Sequence, residues 1–520
     1  MWIAIVIYTI LFSLVEIRLY DSFKVFTWDL GIFNQAFWNT LHGRFFFYTT
    51  EFVYTNTGCF LGTHFSPFLI VIVPLYGIYP TGETLLVIST IAVALGALVT
   101  YKIASFLLDD EKLATIIGVL YLLYPALQGI TLSGFSPESF MGTFFLLIIY
   151  YLIRVDLKKL ALVVTLGLMT HEASIPVIAF IAIYGLLYHK SIKNKGFQLS
   201  LVILMVCIPY FFFAKSMKLY FGWTGQTSLW REWALVGATS TSDLPLRIIL
   251  NPIGAVNALF FDGATKLLYI VLIFLPVLFV PLLSLRGLIP SIPYLFISLF
   301  SSYGLYYSLT GHYAAFVAPF VFIAFIEGIK KIREKSIKKI SPPKLMKMAL
   351  LTSLVILSSL LPLTYSQFQV FKIDEEHNNI IRRYISYIPR DASILTQSNI
   401  FPHIANRPDA YTIPPPTWGD QYTQVGRETL VNLSISGVEY VLLDFKSEQS
   451  YTSAAELIYS GFILKNGHSY KCMGSEDGVM LFKAIYENSR QKKPKVNVSG
   501  FLCEYSTDLR SSGKLSENYV

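Results

Sequence analysis

The chain has 520 residues, 54% hydrophobic and 14% charged, with mean hydropathy +0.55 and a formal net charge of +8. This balance excludes a soluble globular protein and leaves a mainly α, polytopic transmembrane helical bundle. The positive charge gathers in short loops, where it signals membrane orientation and not a nucleic-acid surface.

Because a bilayer core takes about 20 apolar residues per helix, residues 1–364 read as the membrane domain. Spans are expected near 2–20, 84–107, 113–130, 137–154, 159–170, 172–188, 198–214, 266–285, 287–305, 313–329 and 348–364. That makes about eleven crossings. The first run lacks the basic start and small-residue cleavage site of a signal peptide, so it is kept as a span. Segment 64–80, HFSPFLIVIVPLYGIYP, is interrupted by Pro67, Pro74 and Pro80 and is expected to be half-inserted or interfacial. The runs 159–170 and 172–188 are short, which suggests a hairpin whose tip is Thr170-His171-Glu172.

Eight basic residues and one acidic residue lie between Lys330 and Lys347, and Lys158, Lys159, Lys190, Lys193 and Lys195 mark two further turns. With those loops in the cytosol, the N-terminus is cytosolic and the C-terminal domain is extracytoplasmic. Loops 21–83, 131–136, 215–265 and 306–312 then share the external face. Residues 365–487 alternate β-rich runs (SILTQ, AYTIP, VEYVLLDF) with helical ones and read as an extracytoplasmic soluble α/β domain. Residues 488–520 are polar and are expected to be disordered. The sequons at Asn432 and Asn497 agree with an external tail.

Ionisable residues at membrane depth are costly and mark function. The unusual ones fall on the external side: Asp29 in WDLGIFNQAFWNTLHG, His64, Glu138 in SGFSPES, the adjacent His171 and Glu172, and His312 in TGHY. Asp29 fits a general base on an acceptor hydroxyl or a carboxylate that holds a cation, and equally a helix N-cap. Glu138 stands where the helix dipole alone would favour an acid. His171 and Glu172 must find partners or water between two apolar runs. A lone histidine such as His64 or His312 also serves as an interfacial anchor. Trp28, Asn34, Gln35, His64, Arg231, His312 and Tyr313 are candidates for substrate contact, with Arg231 a cation for a lipid-linked phosphate. Arg231 shares its loop with Trp223, Trp230 and Trp233, whose indoles could simply lie at the interface.

The four cysteines, Cys59, Cys207, Cys472 and Cys503, lack metal-ligand spacing; at most Cys472 and Cys503 could pair. HExxH, the Walker loop, GxGxxG and DxD are missing, so no metal ligand and no cofactor is assigned. A sugar donor, if there is one, is carried on lipid.

WDLGIFNQAFWNTLHG, THFSPFLIVIVPLYGIYP, FSPES, the His-Glu pair, GHY with Pro319, and the tail runs SILTQSNIFPHIANRPDAYTIP and GVEYVLLDF together resemble the DUF2079 family. The resemblance implies a fold of the GT-C superfamily, whose enzymes move a sugar from a polyprenyl phosphate to a glycan, lipid or protein acceptor on the non-cytosolic face. It implies that Asp29 is the first-loop acid at the reaction centre. Ser136 stands where the family commonly has histidine, which argues against a metal ligand there, and His171 stands where it commonly has a charged residue. Such an analogy is associational. The competing expectation is a transporter, flippase or envelope scaffold that uses the same residues for binding, although the halves show no internal repeat.

Overall fold

The computed structural model describes residues 1–50, 55–225, 232–334, 342–364, 373–466 and 469–485. Arg231, Trp230, Asn497, Cys503 and the tail 488–520 lie outside them, so the proposed Cys472–Cys503 pairing does too. The chain forms two units: one of Met1–Asn34, His64–Ser216 and Thr227–Arg382, the other of Gln35–Thr63, Met217–Gln226 and Arg383–Val520.

The first unit is helical. Among the described residues, Trp2–Asp21, Gly82–Leu108 and Lys195–Tyr220 are each long and apolar enough to cross a membrane. Two bent pairs raise this to five if each counts as one span: Glu111–Leu122 with Pro125–Thr131 at 52°, and Pro252–Phe260 with Gly263–Val277 at 67°. The bend before Pro125 follows from proline at the first helical position, which starts a helix but cannot continue the preceding one. Helices Leu157–Thr170 and Ser174–His189 form a pair whose tip is 171–173.

Several apolar runs expected to be spans are not single continuous α-helices. The run 266–285 is α-helical only to Phe274; 3-10 turns at Leu275–Val277 and Val280–Leu283 follow, separated by Leu278 and Phe279, both at positive φ. The run 287–305 consists of the 3-10 turn Leu285–Ser291 and the short helix Ile292–Leu299. Prolines 276, 281, 290 and 293 fall in this stretch and remove the amides a regular helix needs. Part of the expected loop 215–265 is instead helical, at Leu244–Leu250 and Pro252–Phe260. Segment 64–80 contributes only the eight-residue helix Leu69–Tyr76, which at ~1.5 Å per residue is far too short to span.

At the centre lies helix Ala318–Glu334, buried on all sides from Ala318 to Ile329, as a helix apolar around its whole circumference must be. Ser89, in helix Gly82–Leu108, has its Oγ 2.7 Å from Ser139 Oγ and 3.2 Å from the Gly134 carbonyl. These bonds anchor the segment that carries Glu138.

The second unit holds a five-stranded sheet in the order β2-β1-β3-β5-β4, with β1 Ile394–Thr396, β2 Ala410–Tyr411, β3 Tyr440–Asp444, β4 Tyr470–Glu476 and β5 Val479–Ala484. β1 pairs in parallel with β2 and β3, whereas β5 runs antiparallel to β3 and β4. Helices Asp420–Ser436 and Gln449–Ile458 cover it through Leu430, Leu433, Ala454, Ala455 and Ile458. First-loop residues complete the unit: Gln35 Nε2 donates to the Ala410 carbonyl at 3.2 Å, Thr49 Oγ1 donates to the same oxygen, and Arg44 reaches the Pro408 carbonyl at 3.2 Å.

Candidate active site

Residues Thr27–Gly31 form a wide π-type turn that leads directly into helix Ile32–Leu41. Such turns are rare and recur at functional sites. The N-cap position belongs to Phe26, so Asp29 lies inside the turn and does not cap it. The Asp29 carbonyl accepts the Phe135 amide at 3.1 Å. Gly134 permits this approach, because it holds φ +85° and a Cβ there would stand 3.3 Å from Asp29 Cβ.

The Asp29 carboxylate faces His312 Nδ1 at 4.0 Å, with side-chain exposures of 33% and 20%. Burial pushes the Asp29 carboxyl up to about 6; His312 pulls it down and Glu138 pushes it further up. A carboxyl so placed is largely ionised at neutral pH yet basic enough to take a proton, as a general base requires.

Glu138 opens helix Glu138–Ile153, is buried, and lies close enough to His312, His171 and His64 to feel their charge. His171 ends helix Leu157–Thr170 in an extended conformation that turns its ring inward, where it is buried. Its Nε2 stands 3.7 Å from Glu138 Oε1. Its Nδ1 accepts the Ala173 amide at 3.0 Å and lies 3.4 Å from Glu172 Oε2. Glu172 reaches the other segment: Oε2 accepts the Phe65 amide at 2.8 Å, and Oε1 is 3.2 Å from His64 Nδ1. The Phe68 amide donates to the Met169 carbonyl at 2.9 Å, which fixes segment 64–68 against the helix end. Asp29, His312, Glu138, His171, Glu172 and His64 therefore form one connected set from five chain segments. Within it, His64, His171 and Glu172 bring ligand atoms within 4.8 Å of one another, although the sequence reading assigned no metal ligand.

The remaining candidates divide. Tyr313 joins an aromatic group beside His312, with ring centroids 4.2 Å from His312, 4.7 Å from Tyr306 and 6.4 Å from Tyr294. Trp28 adjoins Asp29 within the turn. Asn34 is buried and accepts the Tyr76 hydroxyl at 2.6 Å. Gln35 lies in the other unit, fully buried, and its Oε1 also accepts the Thr49 amide at 3.0 Å. Trp233 is buried in the protein, stacked on Tyr306 with its indole donating to the Ile297 carbonyl at 3.1 Å. Tyr294 and Tyr306 were not singled out from the sequence; for Tyr306 the density of tyrosine in YGLYYSLTGHY was the available signal.

Among solved structures, ArnT from Cupriavidus metallidurans bound to undecaprenyl phosphate is similar at TM-score 0.50 and 11% identity, covering 94% of this chain and 98% of that one. The Archaeoglobus fulgidus oligosaccharyltransferase is similar at TM-score 0.41 and 14% identity, over 92% of this chain and 73% of that one. The mycobacterial arabinofuranosyltransferase AftD gives 0.40 and 12%, over 92% of this chain but only 40% of its own length. No curated protein sequence matches. The ArnT likeness shows a shared fold. Residues 19–481 match DUF2079, predicted membrane proteins, and the chain belongs to that family.

Proposed function

We propose that the protein is an integral membrane glycosyltransferase that moves a sugar from a polyprenyl-phosphate donor to an acceptor on the non-cytosolic face. The observation that carries this reading is the Asp29–His312 pair, a carboxyl raised to about 6 and set 4.0 Å from an imidazole. The ArnT fold likeness supports the donor class, since that structure holds undecaprenyl phosphate.

In this reading Asp29 takes the proton from an acceptor hydroxyl as its oxygen attacks the anomeric carbon. The bond from that carbon to the polyprenyl phosphate breaks, the phosphate leaves with the electron pair, and the sugar inverts. Tyr313 and Trp28 offer aromatic faces to the sugar. Residues 1–364 form the membrane domain with a cytosolic N-terminus, and 365–487 lie outside the membrane.

The test is transfer of label from a panel of polyprenyl-phosphate sugars in reconstituted vesicles, comparing wild type with Asp29→Asn at matched folding. The expected loss is roughly 100-fold or more. Undiminished transfer by a folded Asp29→Asn protein would remove Asp29 from the chemistry, and uptake or flipping without bond formation would place the protein among transporters.

A further inference from the structure

The His64, His171 and Glu172 side chains converge, each offering one ligand atom within 4.8 Å of the others. Glu172 Oε1 lies 3.2 Å from His64 Nδ1, Glu172 Oε2 lies 3.4 Å from His171 Nδ1, and the two rings are 4.6 Å apart between centroids. A tetrahedral zinc with bonds of about 2.0–2.1 Å separates its ligand atoms by roughly 3.3 Å. Both carboxylate–imidazole separations, one to each Glu172 oxygen, lie near that edge.

We propose that His64, His171 and Glu172 bind one divalent cation of the zinc class. Two imidazoles and one carboxylate make a donor set that suits zinc or cobalt and disfavours magnesium or calcium, which take oxygen ligands. Three protein ligands with one accessible side describe a site that keeps a coordination position for water or substrate. The accessible side is that of His64, whose side chain is 45% exposed, while His171 is 9% exposed. Glu138 stands behind His171 with Oε1 3.7 Å from Nε2, the place from which a carboxylate orients a metal-bound imidazole. Glu172 is itself held by the Phe65 amide at 2.8 Å, so the carboxylate is fixed before a metal arrives. Binding at Nδ1 takes over the lone pair that now accepts the Ala173 amide. Asp29 is not in the ligand set and keeps its role as base.

Use of the cation at a phosphate rests on the transferase reading; its binding does not. The experiment therefore uses the metal alone. The full chain in lipid nanodiscs is stripped with chelator and titrated with Co(II), followed by visible d–d absorption and by metal analysis. The expected result is one equivalent bound, displaced by Zn(II) and not by excess Mg(II). His64→Ala and Glu172→Gln should each weaken it by about ten-fold or more, whereas His42→Gln, an exposed histidine stacked on Trp38, should not. His64→Ala carries the weight, because its exposed ring can be removed without opening the core. Absence of Co(II) bands in folded wild type, or full binding by the His64→Ala/Glu172→Gln double variant, overturns the proposal. Because no sugar donor is present, a failed transfer assay leaves this result untouched, and the reverse holds as well.

Discussion

His312 Nδ1 lies 4.0 Å from the Asp29 carboxylate and lowers the pKa that burial raises there. If Asp29 is the base proposed above, the pair sets the pH range of transfer. With its carboxyl near 6, about one-tenth of Asp29 is ionised at pH 5 and about nine-tenths at pH 7, so transfer should rise with pH across that interval. His312→Gln removes an influence that lowers the value, so the rising limb should move to higher pH. Glu138→Gln removes one that raises it, and the limb should move to lower pH. Transfer rate against pH for the three proteins checks both signs; shifts in the same direction would contradict the arrangement.

Gly134 supplies the close approach that orients Asp29. Gly134→Ala places a methyl 3.3 Å from Asp29 Cβ at φ +85°, and such a backbone costs about 1 kcal/mol or more with a side chain present. We expect the transfer rate to fall by roughly ten-fold or more with only this small loss in stability, because a displaced catalytic group loses more rate than fold. Parallel denaturation and rate measurements separate the two effects.

Helix Pro125–Thr131 meets the backbone of the segment leading to His312 at Gly129, where a Cβ would collide with the Leu309 carbonyl oxygen. The contact is with backbone, so no rotamer change relieves it. Gly129→Ala is expected to reduce the yield of folded protein sharply, measured as monodisperse material after extraction in detergent.

A second buried network should matter for stability alone. Glu327 accepts from Arg286 Nη2 at 2.7 Å, Ser284 Oγ at 2.7 Å and Tyr184 Oη at 3.0 Å. Glu327→Ala strands a guanidinium and two hydroxyls, at a cost of about 3 kcal/mol. Thermal unfolding in nanodiscs should show the loss, while transfer per folded molecule stays unchanged.

The sheet hairpin offers a test in the second unit. Asp477 and Gly478, both at positive φ (47° and 82°), form the two-residue turn between β4 and β5. Gly478→Val should cost about 1 kcal/mol or more, read as lower protease resistance of the Tyr470–Ala484 hairpin.

How far the sequence led can be judged from such elements. Composition and apolar runs disclosed a membrane chain, and the scarcity of charge made Asp29, Glu138, His171 and Glu172 conspicuous. Their convergence was expected from loop parity, and their meeting with His64 and His312 rests on bonds between segments that no local pattern encodes. Apolar content could not distinguish a continuous α-helix from a 3-10 stretch, which is why the breaks within 266–305 were not foreseen; its prolines were the missed cue. The strands at 470–484 also went unread, although Asp-Gly between apolar runs is a strong turn signal. Gln35 looked like a ligand because an amide beside apolar residues has the same appearance whether it meets sugar or backbone.

The hold of Gln35 and Thr49 on the Ala410 carbonyl has a consequence in time. Gln35 and Ala410 are 375 positions apart, so a ribosome adding roughly 5–20 residues per second leaves the first-loop segment waiting on the order of tens of seconds for its partner. Through that interval its buried amide and hydroxyl must be kept by water, by lipid headgroups or by a chaperone.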